Sequence, residues 1–172
     1  SYTRYMLKDW QYFLVSNGSC NNINLNFTLS RASTDNQIFP RKGSEFLLQA
    51  TFTPPYSLFD GKDYANLANN NYASNYQSQL QEKYRWIEYH KWKFKGRVFT
   101  PLTPGSKCLV LMARVEFGLL GHYNANKLSP FETFYVGGDG TSGYSTTSAT
   151  ETIGLRGYDN GALTPNGNAG YA

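Results

Sequence analysis

The sequence predicts an all-β protein whose antiparallel strands are joined by short turns and long polar loops. Several segments of about ten residues alternate apolar and polar side chains, the pattern of a strand whose two faces meet different surroundings. The chain also contains 14 Tyr and 11 Phe but only 2 Met among its 172 residues. Abundant aromatic residues beside many Gly and Asn are typical of an all-β protein with long polar loops.

The first two predicted strands lie near the N-terminus. Residues 2–10 form an apolar, weakly alternating segment, and Asn17-Gly18 marks a turn region that extends to about Asn22. From Ile23 to Ser30, apolar residues alternate with Asn, Thr and Ser. This period of two predicts the second strand.

A turn at 34–43 is predicted by the breakers Asp35, Asn36, Pro40 and Gly43. The returning strand at 44–53 has Phe, Leu, Ala and Phe on one face, and Pro54-Pro55 ends it because proline cannot donate to a β-ladder. Residues 54–83 are rich in Asn, Gln, Tyr and Ser and have no sustained period, although Leu80 to Tyr84 could form a helical turn. We therefore predict a long exposed loop there.

The next predicted hairpin has the clearest alternation. One strand alternates Trp92, Phe94 and Val98 with Lys91, Lys93, Lys95 and Arg97. After a turn at 100–107, an apolar face runs from Leu109 to Leu119 at every second residue, and Arg114 and Glu116 lie on the opposite face. These five predicted strands leave a second long loop at 121–168.

Strand length and loop lengths both bear on the kind of sheet. About ten residues at ~3.3 Å each, tilted near 45°, cross roughly 25 Å, the height of the lipid-facing band of a membrane barrel. Strands of soluble sandwiches are usually shorter. Short turns alternate with long loops, as in membrane barrels. Length and alternation alone nevertheless fit a membrane barrel and a soluble sheet about equally.

Composition argues against several other classes of protein. No apolar run approaches the 18 or more residues of a membrane helix, a test that does not detect barrel strands. The net charge of +4 is scattered rather than concentrated in a basic block, so we expect no nucleic-acid partner. His90 and His122 belong to no cluster with metal-ligand spacing, and no phosphate loop or nucleophile elbow is present. We expect no enzyme activity, no metal and no cofactor.

Two motifs follow the strands and carry a resemblance. Residues 130–138 read PFETFYVGG, and Leu155, Arg156, Gly157 and Tyr158 form an LRGY tetrad. This pair resembles the FYxGG and VRGF signature of the BamA-like outer-membrane protein assembly factors, and residues 39–43 resemble the FPxxG turn of that family. The order of strands and turns from about Ile23 onward matches as well.

The resemblance implies that residues 1–172 are part of a single antiparallel transmembrane β-barrel domain in the bacterial outer membrane, with about five strands and surface loops at about 54–83 and 121–168. The barrel would insert and fold other outer-membrane proteins without covalent chemistry. Its partners would be these client proteins, accessory lipoproteins, periplasmic chaperones and the lipid bilayer. Because the chain lacks an initial Met, POTRA domains and closing strands, we expect it to be a fragment.

By the same resemblance, the LRGY loop would dock inside the barrel. Arg156 would form a bidentate pair with a carboxylate on the lumen wall, and Gly157 would allow a tight turn. The base of the loop would consist of Phe134, Tyr135, Gly137 and Gly138, and the basic residues Lys93, Lys95, Arg97 and Arg114 would face the lumen. The intervening residues 139–154 are a departure from the family, in which the two motifs lie closer together. The family's carboxylates for this Arg lie on later strands.

Two alternative functions remain at this point. A related two-partner secretion or translocation barrel would carry the same motifs. A soluble all-β module could instead use the Tyr- and Asn-rich loops to bind glycans or proteins.

Overall fold

The computed structural model describes residues 1–9, 15–70, 72, 74–105, 108–129, 131–138, 151–159 and 162–163. Ten elements follow one another in these residues: β1 (Tyr2–Leu7), β2 (Gly18–Ile23), β3 (Leu25–Thr34), β4 (Gly43–Phe52), α1 (Tyr56–Phe59), α2 (Tyr76–Lys83), β5 (His90–Pro101), β6 (Val110–Gly121), β7 (Phe134–Val136) and β8 (Glu151–Ile153).

The described strands form three sheets. β1 pairs with β2, the four long strands follow the order β3-β4-β5-β6, and β7 pairs with β8. The four-stranded sheet is a meander in which each strand lies beside its neighbour in sequence. The predicted all-β, mostly antiparallel fold is therefore confirmed, and all five predicted strands are present.

The chain divides into two compact units. One unit comprises Leu25–Thr51 and Lys91–Leu119 and contains most of the four-stranded sheet. The other comprises Ser1–Asn24, Phe52–His90 and Leu120–Ala172, and its described part contains both helices and both two-stranded sheets.

The two faces of the four-stranded sheet carry different kinds of side chain. Ion pairs from Glu45 to Arg97 and from Lys95 to Glu116 show that the charged residues of β4, β5 and β6 share one side, which we call the polar face. The alternating residues of the other side form the apolar face. Phe27, Val115 and Phe117 on the apolar face are each more than half exposed. An exposed row of large apolar side chains along ten- to twelve-residue strands is typical of a lipid-facing surface.

The turn between β3 and β4 confirms the prediction for residues 34–43. Gly43 has a φ of +117°, and a Cβ atom there would lie 2.0 Å from the carbonyl oxygen of Ser33, so only glycine fits. Asp35 Oδ1 accepts hydrogen bonds from the backbone N–H groups of Arg41 (2.9 Å) and Lys42 (3.2 Å), which lower the pKa of Asp35. The turn between β5 and β6 closes through a bond from Leu102 N–H to Leu109 O (2.8 Å).

The second unit has its own apolar core. Buried residues from or just before β2 and β7, from α2, from the segment before β5 and from the end of β6 pack together, namely Val15, Cys20, Leu80, Tyr84, Ile87, Tyr89, Leu120, Phe131 and Phe134. Tyr5 of β1 stacks on Phe131, with ring centroids 5.1 Å apart. This core ties β1 and β2 to segments that lie far away in sequence.

The structure corrects two local predictions. The turn predicted at 17–22 is wrong because Gly18–Ile23 is strand β2, which pairs antiparallel with β1. β2 also binds the segment before β5, since Asn21 N–H donates to Arg85 O (2.8 Å) and Ile87 N–H donates to Asn21 O (2.9 Å). These long-range bonds hold a polar, non-alternating segment in extended form.

The segment 54–83 is the second correction, because the predicted long exposed loop is neither wholly irregular nor wholly exposed. It contains α1 and α2, and its residues Tyr64 and Leu80 are buried. Leu80 is the buried residue of α2, so the helix has almost no apolar stripe that a sequence pattern could reveal.

A charge on the apolar face should be costly if this face meets lipid. For Val115→Arg, near the middle of β6, we expect a loss of about 2–4 kcal/mol in the free energy of unfolding of the full-length protein in lipid vesicles. The matched control is Met112→Arg, the same kind of change on the polar face of the same strand. Equal losses in the two variants, measured by urea titration, would contradict a lipid-facing assignment.

Candidate functional site

The structure brings together the two motifs that the sequence separates. β7 and β8 pair in parallel, with Phe134 opposite Glu151 and Val136 opposite Ile153. Gly137 N–H continues the pairing by donating to Ile153 O at 3.0 Å. The residues between 138 and 151 therefore do not separate the FYVGG and LRGY motifs in space.

Gly138 holds both ends of the LRGY tetrad. Its carbonyl oxygen accepts from Leu155 N–H at 2.8 Å, and its own N–H donates to Tyr158 O at 3.0 Å. Arg156 and Gly157 lie between these two bonds, as the tip of a short closed turn. We call this arrangement of Gly138 with residues 155–158 the motif clasp.

Glycine is needed at two positions of the motif clasp. Gly138 has a φ of +99° and Gly157 has a φ of +88°, values that side-chain-bearing residues rarely adopt. The double glycine of the first motif and the glycine after Arg156 therefore serve one local geometry.

The side chains of the clasp have different surroundings. Phe134 is buried in the core of its unit, whereas Leu155 and Tyr158 are about half exposed. Tyr135 is half-buried and Arg156 is exposed, and Arg156 forms no ion pair with any residue that the structure describes. The clasp thus presents a guanidinium group at the tip of a backbone-fixed turn, where a carboxylate could bind it with two hydrogen bonds.

The four basic residues predicted to face the lumen lie on the polar face of the sheet. Arg97 binds Glu45 at 2.7 Å, and Lys95 lies 4.0 Å from Glu116, which also accepts a hydrogen bond from Arg114 Nε at 2.9 Å. Lys93 lies on β5, as Lys95 and Arg97 do, and is half-buried. Their common face is a feature of the structure, and their contact with a lumen remains a prediction.

Sequence reasoning missed a buried ion pair in the unit that carries the clasp. Lys127 Nζ lies 3.7 Å from Glu88 Oε2, and the two side chains are only 3% and 0% exposed. Glu88 Oε2 also accepts a hydrogen bond from Ser57 N–H at 2.8 Å, and the ammonium of Lys127 lies 4.6 Å from the centre of the Tyr64 ring. We call Ser57, Asp60, Tyr64, Glu88 and Lys127 the loop-base cluster.

Burial shifts the titration of the loop-base cluster. It lowers the pKa of Lys127, and the Glu88 and Asp60 carboxylates partly oppose this shift. Burial raises the pKa of Tyr64, and the hydrogen bond from its hydroxyl to Asp60 raises it further. Burial would also raise the pKa of Asp60, but that hydrogen bond and nearby cations outweigh it and lower the pKa. The cluster joins the segment after β4 to the segments before β5 and after β6.

No sequence signal marked this cluster. Glu88 and Lys127 lie in segments without periodicity, and only the folded chain shows that both are buried. Within the described residues, no group of His, Cys, Asp or Glu side chains is placed to hold a metal ion. No helix in the described ranges is long and apolar enough to cross a membrane.

Comparison with protein families decides the class. Residues 3–171 match the Omp85 superfamily domain. The chain belongs to the Omp85 superfamily. No curated protein and no solved structure matches the chain.

Membership in the Omp85 superfamily indicates the class of protein to which the sheet and the motif clasp belong. Proteins of this superfamily are outer-membrane β-barrels that act in the insertion of outer-membrane proteins or in two-partner secretion, and they are transport proteins rather than enzymes. The exposed apolar face of the four-stranded sheet fits such a barrel. The soluble binding module considered from the sequence loses its support.

Gly138→Ala should loosen the motif clasp. A side chain at a φ of +99° stores strain of about 1–2 kcal/mol, which corresponds to roughly 5- to 30-fold in a local opening equilibrium. We therefore expect trypsin to cleave after Arg156 about that much faster in the full-length protein. The matched control is Gly61→Ala, which has a φ of +63° but no atoms near its Cβ position and no part in the clasp. Equal acceleration in both variants would contradict the role of Gly138.

Lys127→Met should open the loop-base cluster because it leaves Glu88 buried without a cation. Breaking a buried pair in this way costs about 3–5 kcal/mol, so exchange of the Ser57 amide hydrogen should accelerate about a hundredfold or more. The double variant Glu88→Gln/Lys127→Met removes both charges and keeps an acceptor for Ser57 N–H. The double variant should regain most of the protection of the Ser57 amide from exchange. If Lys127→Met alone exchanged this hydrogen as slowly as the native protein, the ion pair would be dispensable.

Proposed function

We propose that this chain is part of a bacterial outer-membrane β-barrel of the BamA type, which assembles and inserts other outer-membrane proteins. Residues 1–172 would belong to one barrel domain, with segments 54–83 and 121–168 on the cell surface. The Omp85 match over residues 3–171 supports the class, and the PFETFYVGG string favours the BamA type within it.

The observation that carries this proposal is the motif clasp. Gly138 binds the residues on both sides of Arg156 and Gly157, so the two family motifs form one structural unit. A loop of this design would plant Arg156 against a carboxylate on the inner barrel wall. A bidentate, charge-assisted pair in a partly desolvated lumen would hold the loop and steady the barrel.

Insertion by such a barrel would use backbone pairing rather than chemistry at a catalytic residue. A strand that enters lipid alone carries unpaired N–H and C=O groups at a cost of several kcal/mol each. A barrel with a weak seam offers a strand edge where these groups can pair. The partners would be unfolded client barrels, the accessory lipoproteins and periplasmic chaperones of the BamA family, and the bilayer.

A two-partner secretion barrel is the second candidate, because the Omp85 superfamily includes both activities. An assay of the full-length protein reconstituted in lipid vesicles separates the two candidates. An insertase should accelerate folding of client barrels into vesicles, whereas a secretion pore should move its dedicated partner across the bilayer without inserting clients.

The docking role of Arg156 is tested in the full-length protein reconstituted in lipid vesicles. For Arg156→Ala we expect client insertion, read as the folded, heat-modifiable fraction, to fall several-fold because the loop loses its anchor. Arg156→Lys should rescue only partly, since an ammonium cannot form the planar two-bond pair. The control is Arg31→Ala, which removes an exposed Arg from β3 of the sheet. If Arg156→Ala inserted clients at the native rate, the docking role of Arg156 would be contradicted.

A further inference from the structure

A cavity of about 480 Å³ lies between the two short turns of the four-stranded sheet, and we call it the turn cavity. Asp35, Arg41 and Lys42 line it from the turn between β3 and β4. Residues 101–105 and Cys108 line it from the turn between β5 and β6. Both turns belong to one unit and lie at the same end of the sheet, because β3 and β5 end there and β4 and β6 begin there. The cavity is large enough for part of a small molecule.

The two turns line the turn cavity with different chemistry. Arg41 and Lys42 are exposed, and neither side chain forms an ion pair with any residue in the described ranges. The other turn contributes apolar surface from Pro101, Leu102 and Pro104, and Leu102 is about half exposed. Two cations beside an apolar surface match an anionic amphiphile, which carries a charged head group and an apolar tail.

Asp35 supplies the carboxylate among the described lining residues, and the backbone binds it. Its Oδ1 accepts hydrogen bonds from the N–H groups of Arg41 at 2.9 Å and Lys42 at 3.2 Å. These bonds lower the pKa of Asp35, so it is ionised near neutral pH. The side chains of Arg41 and Lys42 are not used to neutralise it. Two cations against one carboxylate leave the turn cavity with a net positive charge.

Large apolar side chains surround this end of the sheet. Ile38 and Phe39, in the same turn as the two cations, are 78% and 80% exposed. Asn36 Oδ1 fixes their backbone by accepting their N–H groups at 2.9 and 3.3 Å. Leu109 and Leu111, around the start of β6, bring the apolar face to the same end and are more than half exposed. Exposed apolar and aromatic side chains beside cations are typical of a surface at the boundary between lipid and water.

We propose that the turn cavity binds the phosphate group of an anionic membrane lipid, whose acyl chains follow the apolar face of the sheet. The Arg41 guanidinium can donate two hydrogen bonds to phosphate oxygens, and the Lys42 ammonium adds a second positive charge. The inference rests on the proposed placement of the sheet in a membrane. It goes beyond the proposed function, because neither client insertion nor secretion requires a bound lipid of a particular charge.

The test compares two lipids that differ in charge. Full-length protein in detergent micelles is titrated with dioctanoyl phosphatidylglycerol, which is anionic, or with dioctanoyl phosphatidylcholine, which is zwitterionic. Native mass spectrometry measures the bound lipid. We expect phosphatidylglycerol to bind with the lower Kd.

The double variant Arg41→Gln/Lys42→Gln should lose this preference. Each cation near a lipid surface contributes about fivefold to binding, so the Kd of phosphatidylglycerol should rise about 30-fold while that of phosphatidylcholine stays the same. The variant keeps the backbone N–H groups that bind Asp35, so the turn should persist. The matched control is Arg4→Gln/Lys8→Gln, which removes an exposed Arg and an exposed Lys from the other unit and should bind both lipids like the native protein.

Cys108 reports on whether the lipid occupies the turn cavity, because it is a half-buried lining residue with a free thiol. Phosphatidylglycerol should slow its reaction with N-ethylmaleimide in the native protein but not in Arg41→Gln/Lys42→Gln. Mass spectrometry of the peptide that contains Cys108 measures this rate. Glycerol phosphate, which has the phosphate group but no acyl chains, should protect Cys108 far less at the same concentration.

Equal Kd values of the two lipids for the native protein would overturn the inference, as would the same loss of affinity in the two double variants. An unchanged rate at Cys108 would overturn it as well. Equal protection by glycerol phosphate would have the same consequence, because the ligand would then be a free phosphate compound rather than a lipid. Client insertion is measured on the native protein. An absence of insertion with an intact lipid preference would support the lipid site and count against the proposed function alone.

Discussion

Backbone pairing in the four-stranded sheet is the constraint on which the rest of the chain depends. In lipid no water can satisfy an N–H or C=O group, so a spanning segment must be a helix or a strand bonded on both sides. In the meander of ten- to twelve-residue strands, β4 and β5 meet this demand because each has a neighbour on both sides, and all four strands leave side chains to alternate between two surroundings. That alternation produces the exposed apolar face on one side and the ion-paired polar face on the other.

Outside the sheet, polar contacts between segments that are distant in sequence add to the apolar core of the second unit. The Glu88–Lys127 pair, buried beside Tyr64 and Ser57, joins three connecting segments of one unit. A pair of this kind adds little net stability relative to an apolar core, but it penalises any arrangement that leaves one charge alone. We therefore infer that the pair favours one conformation for segments whose Asn- and Tyr-rich composition would permit many.

The motif clasp likewise orders the FYVGG and LRGY motifs with a small number of contacts. Two backbone hydrogen bonds from Gly138 fix the turn that carries Arg156, and glycine torsions at positions 138 and 157 make the turn possible. The backbone at Arg156 is thus fixed, while its side chain stays exposed. A guanidinium group on such a backbone can bind a carboxylate without a large ordering cost in its own loop.

The sequence by itself determined the long strands, their turns and the placing of Lys95, Arg97 and Arg114 on one face of the sheet. It could do so because a period of two is a local property that lipid and water impose on every strand. It also contained the two motifs, but not their contact. Only the tertiary structure decided that Gly138 closes on Leu155 and Tyr158, that Asn-rich β2 is a strand, and that Glu88 meets Lys127. These features depend on hydrogen bonds and burial between distant segments, which leave no periodic trace in the residues that form them.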